Sequence, residues 1–208
     1  YRNLGRKYYG FTVGGSLTMV SGSLGISAVM TVQGDAFLIG GILTYFSAGG
    51  SLNSSNNHLT FQGTAYVMST DLSASPSAMN FHGDVLFGAP ATTISGDVRL
   101  WGVQKTLVTS GTALVLNRLS VMAPASYTVT GDIAILSWMT IEGSLTLSPT
   151  QAVLSPTNLW VLGTLTSAAR LDMGIGGWLY VALPGTLLLG TAAHRIGGNL
   201  EVIGSMTM

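Results

Sequence analysis

Val129 to Leu147 reads V-T-G-D-I-A-I-L-S-W-M-T-I-E-G-S-L-T-L, and this stretch contains one short pattern twice. The pattern is an apolar residue, any residue, Gly, a small residue or Asp, and then an apolar residue, any residue and an apolar residue. Its two copies are centred on Gly131 and Gly143. Apolar residues at alternate positions predict β-strands with one buried face. A glycine inside such a pattern marks a bend or a close approach of neighbouring backbone.

The same pattern recurs along the chain, with its glycine at regular intervals. The glycines are Gly15, Gly34, Gly63, Gly83, Gly96, Gly131, Gly143, Gly163, Gly177 and Gly198, and Asn117 takes the same position once. From Gly63 onward, successive positions lie either 12 to 14 or 20 to 21 residues apart. A three-sided coil of about 20 residues explains both distances, because the longer step completes one turn and the shorter step covers two sides. The sequence therefore predicts an all-β parallel β-helix, or β-solenoid, of about ten three-sided coils with almost no helix.

Proline and polar segments fall where this arrangement places loops. Proline removes a backbone donor from a sheet, so it should avoid strand interiors. All six prolines lie between copies of the pattern: Pro76, Pro90, Pro124, Pro149, Pro156 and Pro184. A polar insertion at residues 47–58 accounts for the longer early spacing, and a second one at residues 69–77 forms the next loop. We assign residues 11–208 to the solenoid domain and residues 1–10 to an amino-terminal arm.

Side chains within each copy of the pattern are predicted to alternate. The two apolar residues after the glycine should point into the solenoid, and the residue between them should point outward. The outward positions hold Thr18, Phe37, Tyr66, Leu86, Arg99, Ser120, Ala134, Thr146, Thr166, Tyr180 and Glu201. Four of these, Phe37, Tyr66, Leu86 and Tyr180, are large aromatic or aliphatic residues, which indicates lateral contact with another surface.

The composition points to association between copies of the chain. Charged residues make up 8% of the chain and the formal net charge is +0, whereas about a quarter of the residues of an average domain are charged. Little repulsion therefore opposes self-association. Basic residues are too few for a nucleic-acid partner, and no stretch is typical of a transmembrane helix. The chain has no cysteine, which excludes disulfides and thiolate chemistry.

The titratable residues do not form a recognisable reactive site. Asp35, Asp84, Asp97 and Asp132 follow pattern glycines, but their spacing does not stack them on one face of a 20-residue coil. We interpret them as turn residues whose carboxylates accept hydrogen bonds from local backbone donors. The histidines, at positions 58, 82 and 194, lack metal-ligand spacing. The sequence therefore predicts no catalytic residue, no cofactor and no metal site, and we expect that the protein is not an enzyme.

Both ends of the chain are predicted to contribute to an assembly interface. A solenoid exposes unpaired backbone groups and apolar side chains at the end of its stack. The segment from Ile196 to Met208 carries a single charge, Glu201, and no helix or proline follows it. The arm contains tyrosine and arginine, which are favoured anchors at interfaces. The predicted interface residues are Tyr1, Arg2, Tyr8, Tyr9, Ile196, Leu200, Val202, Ile203, Met206 and Met208.

With its G-D-I-A-I and G-S-L-T-L units, the chain resembles polymer-forming β-solenoids, among them bactofilins and filamentous-haemagglutinin-type adhesins. The resemblance covers residues 11–208 at the level of the repeated pattern. It implies non-enzymatic self-assembly by the stacking of coil ends. Scarce charge and long early loops depart from bactofilins, and the lack of Asn-rich turns departs from the adhesins.

Two hypotheses about function follow. The first is a structural protein that self-assembles into a filament, sheath or shell. The alternative is a surface β-helix that binds or cleaves carbohydrate, as an adhesin or a lyase does. That alternative requires carboxylates and aromatic residues on one face, and the sequence spacing does not indicate such a cluster. We expect an extracellular or cell-surface location rather than a cytoplasmic one, and the glycosylation sequon Asn53-Ser54-Ser55 slightly favours it.

Overall fold

The structure is a computed structural model of the chain. It describes residues 11–21, 23–26, 29–39, 42–45, 58–68, 78–88, 93–110, 114–148, 153–154, 156–168, 170–174 and 176–208. The amino-terminal arm, with Tyr1, Arg2, Tyr8 and Tyr9, lies outside the described residues, and so does the sequon at Asn53.

The described residues form β-strands and no helix. In chain order, the strands are β1 (Phe11–Val13), β2 (Leu17–Met19), β3 (Ser23–Ile26), β4 (Met30–Val32), β5 (Ala36–Leu38), β6 (Ile42–Tyr45), β7 (His58–Phe61), β8 (Ala65–Val67), β9 (Ala78–Phe81), β10 (Val85–Phe87), β11 (Thr93–Leu100), β12 (Lys105–Thr109), β13 (Leu114–Val121), β14 (Ser126–Thr130), β15 (Ile133–Ile141), β16 (Ser144–Leu147), β17 (Val153–Leu154), β18 (Asn158–Val161), β19 (Thr164–Ser167), β20 (Arg170–Met173), β21 (Trp178–Val181), β22 (Thr186–Leu189), β23 (Arg195–Ile196), β24 (Asn199–Val202) and β25 (Ser205–Thr207).

The strands stack into a parallel β-solenoid, which confirms the predicted fold class. Sheet 1 contains ten strands in the order β1-β4-β7-β9-β11-β13-β15-β18-β21-β24. Sheet 2 contains ten strands in the order β2-β5-β8-β10-β12-β14-β16-β19-β22-β25. The third side comprises the pair β3-β6, the trio β17-β20-β23 and the first halves of β11, β13 and β15. Several connections on this side fall outside the described residues, so the described residues form about 7 turns although each long sheet contains ten strands; the coil count differs slightly from the ten predicted.

The two step lengths of the sequence pattern match the sides of this coil. Gly143 and Gly163 both lie between a strand of sheet 1 and the next strand of sheet 2, so the 20-residue step between them is one full turn. Gly131 lies between sheet 2 and the third side, and two sides separate it from Gly143. The pattern therefore marks the corners of the coil, where the chain changes direction.

Alternating burial along the strands confirms the predicted inward and outward positions. In β10, for example, Val85 and Phe87 are buried and Leu86 between them is partly exposed. The inward residues of successive coils form a single hydrophobic core along the solenoid. Its widest part contains the rings of Phe61 and Phe81, which are fully buried and stack with centroids 5.2 Å apart. Burial of this apolar surface stabilises the fold, because each coil covers the apolar residues of its neighbours.

Two of the carboxylates after the pattern glycines, those of Asp35 and Asp84, bind the next coil and not their own turn. Oδ1 of Asp35 accepts a hydrogen bond from the backbone N–H of Thr64 at 2.8 Å. Oδ1 of Asp84 accepts from the backbone N–H of Thr106 at 2.7 Å and from its hydroxyl at 3.0 Å. The predicted local turn role is therefore wrong for these two residues. Each carboxylate stabilises the stacking of two coils, since it satisfies a corner N–H that the sheets leave unpaired.

Tyr127 forms a second polar link inside the solenoid. Its buried hydroxyl lies 2.8 Å from the carbonyl oxygen of Gly83 and 3.0 Å from that of Phe81, so that it donates to the corner two coils away. Burial raises the pKa of this phenol well above its usual range. We expect Tyr127→Phe to lower the free energy of unfolding by about 1–3 kcal/mol, because the carbonyl of Gly83 loses this donor, whereas that of Phe81 keeps the backbone N–H of Trp101. Urea unfolding followed by circular dichroism measures this change, and an unchanged midpoint would contradict the proposed role of the hydroxyl.

Candidate functional site: an aromatic face on sheet 1

The outward surface of sheet 1 carries a cluster of aromatic side chains toward its carboxyl-side end. Trp138 lies on β15, Trp160 on β18, and Trp178 and Tyr180 on β21. The three indoles are 37%, 41% and 46% exposed, respectively. Because they point away from the core, the hydrophobic interior does not account for their presence. We call Trp138, Asn158, Trp160, Trp178, Tyr180 and Glu201 together the aromatic face.

The parallel register sets the arrangement of this face. One outward column runs from Trp138 through Asn158 to Trp178, and the adjacent column runs from Trp160 through Tyr180 to Glu201. Trp160 is central, and its ring centroid lies 5.5 Å from that of Trp138 and 6.2 Å from that of Tyr180. Both pairs meet edge to face, at interplanar angles of 65° and 71°. This is a favoured geometry for aromatic pairs, and the indoles remain partly exposed to solvent.

A concavity of about 420 Å³ lies between these rings. It is lined by the four aromatic side chains together with Asn158, which lies between Trp138 and Trp178 in register, and Glu201. Apolar walls with a few polar groups are typical of sites that bind small molecules, and the volume falls within the usual range of such sites. The geometry therefore suits a ligand that presents both apolar surface and hydrogen-bonding groups.

The amino-side half of the same face is polar, and its side chains bind one another. Nε of Arg99 donates to Oδ2 of Asp97 at 2.7 Å, and the hydroxyl of Ser120 donates to Oδ1 of the same carboxylate at 3.1 Å. His58 begins β7 on this sheet, and burial together with the charge of Arg99 lowers its pKa against the opposing effect of Asp97. Its Nδ1 is buried and has no hydrogen-bond partner within the described part of the chain. The aromatic and the polar halves of sheet 1 thus differ sharply in character.

The other histidines have structural surroundings. His82 stacks on Trp101 with centroids 6.0 Å apart, and burial lowers its pKa. Nδ1 of His194 accepts a hydrogen bond from the backbone N–H of Leu171 at 3.1 Å, and its Nε2 lies 2.9 Å from the carbonyl oxygen of Gly190, to which it donates. Among the described residues, no group of three or more His, Asp and Glu side chains could hold a metal ion.

The predicted interface residues of the carboxyl-terminal segment share one coil. Leu200 and Val202 lie on β24, Met206 lies on β25, and Ile203 occupies the corner between these strands. Ile196 and Met206 are partly buried against the core, whereas Ile203 and Met208 are largely exposed. The structure thus groups these residues at the last strands of both long sheets, which we call the carboxyl-side edge. The four predicted partners in the arm lie outside the described residues.

The sequence pattern did not predict the aromatic face. The three tryptophans do not occupy the outward position after a pattern glycine, so the pattern did not single them out. Their spacing contained a signal, because positions 138, 160 and 178 are each about one coil apart. Cleavage of a glycan would require a pair of carboxylates. Among the residues that line the face, Glu201 is the one acidic residue.

Comparisons with protein families, curated proteins and solved structures found no match for this chain. Among the described residues, no helix is long and apolar enough to cross a membrane. The class that the fold defines is a parallel β-solenoid, which is compatible with a structural or a surface role.

Proposed function

We propose that this chain is a structural β-solenoid that self-assembles by stacking coil ends. The observation that carries the proposal is the low charge of the chain, which has 8% charged residues and a formal net charge of +0. The inward positions of β24 show where a further coil could stack. Leu200 pairs in register with Leu179, and Val202 pairs with Val181. Leu179 and Val181 are fully buried, whereas Leu200 is 50% exposed and Val202 is 40% exposed. Covering these side chains with another coil would bury apolar surface and satisfy unpaired strand donors and acceptors together.

The first described strands of both long sheets suit such a contact. β1 and β2 are the first strands of these sheets among the described residues, and neither strand contains a charged residue or a proline. Strand edges that avoid association usually carry such residues. Pairing of the carboxyl-side edge with β1 and β2 of the next copy would continue both parallel sheets. Because such a contact joins different surfaces, it would propagate into a filament.

The composition supports association without catalysis. A formal net charge of +0, with 8% charged residues, leaves little repulsion between copies. The described carboxylates considered for catalysis bind structural partners, such as Arg99 for Asp97 and the backbone of Thr106 for Asp84. We therefore propose a non-enzymatic role, as the resemblance to polymer-forming solenoids also implies.

Lysine at inward positions of the carboxyl-side edge tests this proposal. We expect the 208-residue chain to form elongated particles in negative-stain micrographs and a concentration-dependent mass in light scattering. The variant Leu200→Lys/Val202→Lys should remain a monomer, because assembly would bury two unpaired charges at the contact. Circular dichroism should report the same β-sheet content, since both positions are already half exposed.

Thr207→Lys provides the matched control. Thr207 is exposed on β25, in register with Leu188, whose side chain is also exposed. This variant adds charge to the same coil but on its outward surface, so it should assemble like the unmodified chain. Assembly of the double variant to unchanged length would rule out end-to-end stacking through this edge, and a monomeric unmodified chain at high concentration would rule out self-assembly.

A further inference from the structure

We propose that the aromatic face is a binding site for a neutral, extended polysaccharide. The exposed indoles of Trp138, Trp160 and Trp178 are the first argument. An aromatic ring carries negative electrostatic potential on its faces. The axial C–H groups of a pyranose ring are weakly positive and form a flat apolar patch, so sugar rings stack on exposed indoles. This site shares β24 with the carboxyl-side edge through Glu201, but it uses outward-facing side chains, whereas the proposed assembly contact uses inward-facing ones.

The shape of the site favours a ligand over a flat protein contact. The edge-to-face packing of Trp160 on its two neighbours creates a concavity of about 420 Å³. A volume of this size is typical of small-molecule sites. Asn158 and Glu201 also line the concavity. They supply a donor and acceptors for hydroxyl groups, which an apolar partner would leave unpaired.

The charge of the site favours a neutral ligand. Glu201 is the one charged residue among the described residues that line the concavity, and none of them is basic. Sites for nucleic acids combine aromatic stacking with a positively charged groove that contacts the phosphates. A single carboxylate opposes phosphate and uronate groups but accepts hydrogen bonds from hydroxyls. Neutral hexose or pentose polymers therefore fit the site better than nucleic acids or acidic polysaccharides do.

The direction of the site favours an extended polymer. The two outward columns run along the solenoid axis, since each adds one residue per strand of sheet 1. Neighbouring strands are about 4.8 Å apart, so the strands of Trp138 and Trp178 are separated by about 10 Å. This is the scale of two linked pyranose rings. A chain that follows the axis could therefore place successive rings on the indoles.

Titration calorimetry with cellohexaose, xylohexaose and mannohexaose tests the proposal on the 208-residue chain. We expect at least one of these neutral glycans to bind. Trp160→Ala should weaken that binding about tenfold or more, because it removes the central stacking surface. Trp160→Phe should recover part of the loss, since it restores a smaller aromatic face. Three of the four tryptophans belong to the site, so binding should also change the intrinsic fluorescence.

Trp101→Ala is the matched control. Trp101 stacks on His82 and donates a hydrogen bond to Asn80, away from the concavity, so this variant should bind glycan like the unmodified chain. The Leu200→Lys/Val202→Lys variant should also bind, which separates this site from the assembly contact. Three results would overturn the proposal: no binding of any of the three glycans, equal binding by Trp160→Ala, or tighter binding of an oligogalacturonate. Loss of self-association in Trp160→Ala without glycan binding would instead identify the face as a contact between copies.

Discussion

Phe81→Ala is expected to lower the free energy of unfolding by about 3–5 kcal/mol. The ring of Phe81 is fully buried, stacks on Phe61 at 5.2 Å and meets Phe87 edge to face at 6.2 Å. Truncation removes contacts with both neighbours and leaves a cavity in the core. Backbone pairing on both sides of β9 restricts the collapse that would otherwise fill it. Urea unfolding followed by circular dichroism at a fixed protein concentration measures the loss.

Phe37→Ala is the control for this substitution. Phe37 is partly exposed on the outside of sheet 2 and stacks on Tyr66 with centroids 4.9 Å apart. Its truncation leaves the core filled and removes one surface contact, so we expect a loss of about 1 kcal/mol. Equal losses from the two substitutions would show that the interior of the solenoid does not dominate its stability.

Gly143→Val is expected to lower the free energy of unfolding by about 3 kcal/mol through overpacking. Gly143 lies at the corner between β15 and β16. A Cβ atom at this position would overlap the carbonyl oxygen of Ala125 and would lie 2.8 Å from that of Met122. Both contacts are with the backbone of the preceding coil, which rotation of a side chain cannot relieve. The cost arises from this close approach. Gly143 does not have a left-handed backbone conformation, whereas Gly131 does (φ 96°).

Gly174→Val separates crowding from a general effect of valine. A Cβ atom at Gly174 would have no neighbour within 4 Å among the atoms of the structure. We expect this variant to unfold within about 0.5 kcal/mol of the unmodified chain. Thermal melts of both variants at the same pH provide the comparison. If the two variants had the same melting temperature, crowding between successive corners would not explain why glycine recurs at these positions.

The sequence determined the architecture because every coil repeats the same local requirements. Inward positions such as Val85 and Phe87 must be apolar, and the corner at Gly143 leaves no room for a side chain. These requirements repeat once per coil. The two step lengths between glycines therefore predicted that the coil has three sides and that the chain bends at the glycines. Period-two burial then followed from the pleat of a β-strand.

Tertiary structure alone decided which outward residues become neighbours. Outward positions carry no repeated requirement, and connections of unequal length separate the strands, so their register across coils is not apparent from a local pattern. Trp138 and Trp160 meet because β15 and β18 pair in one particular register. Asp84 reaches Thr106, and the hydroxyl of Tyr127 reaches Gly83, for the same reason. The repeat fixes the coil through short-range sterics and burial, whereas the surface site depends on the long-range stacking of coils that are 20 or more residues apart in the sequence.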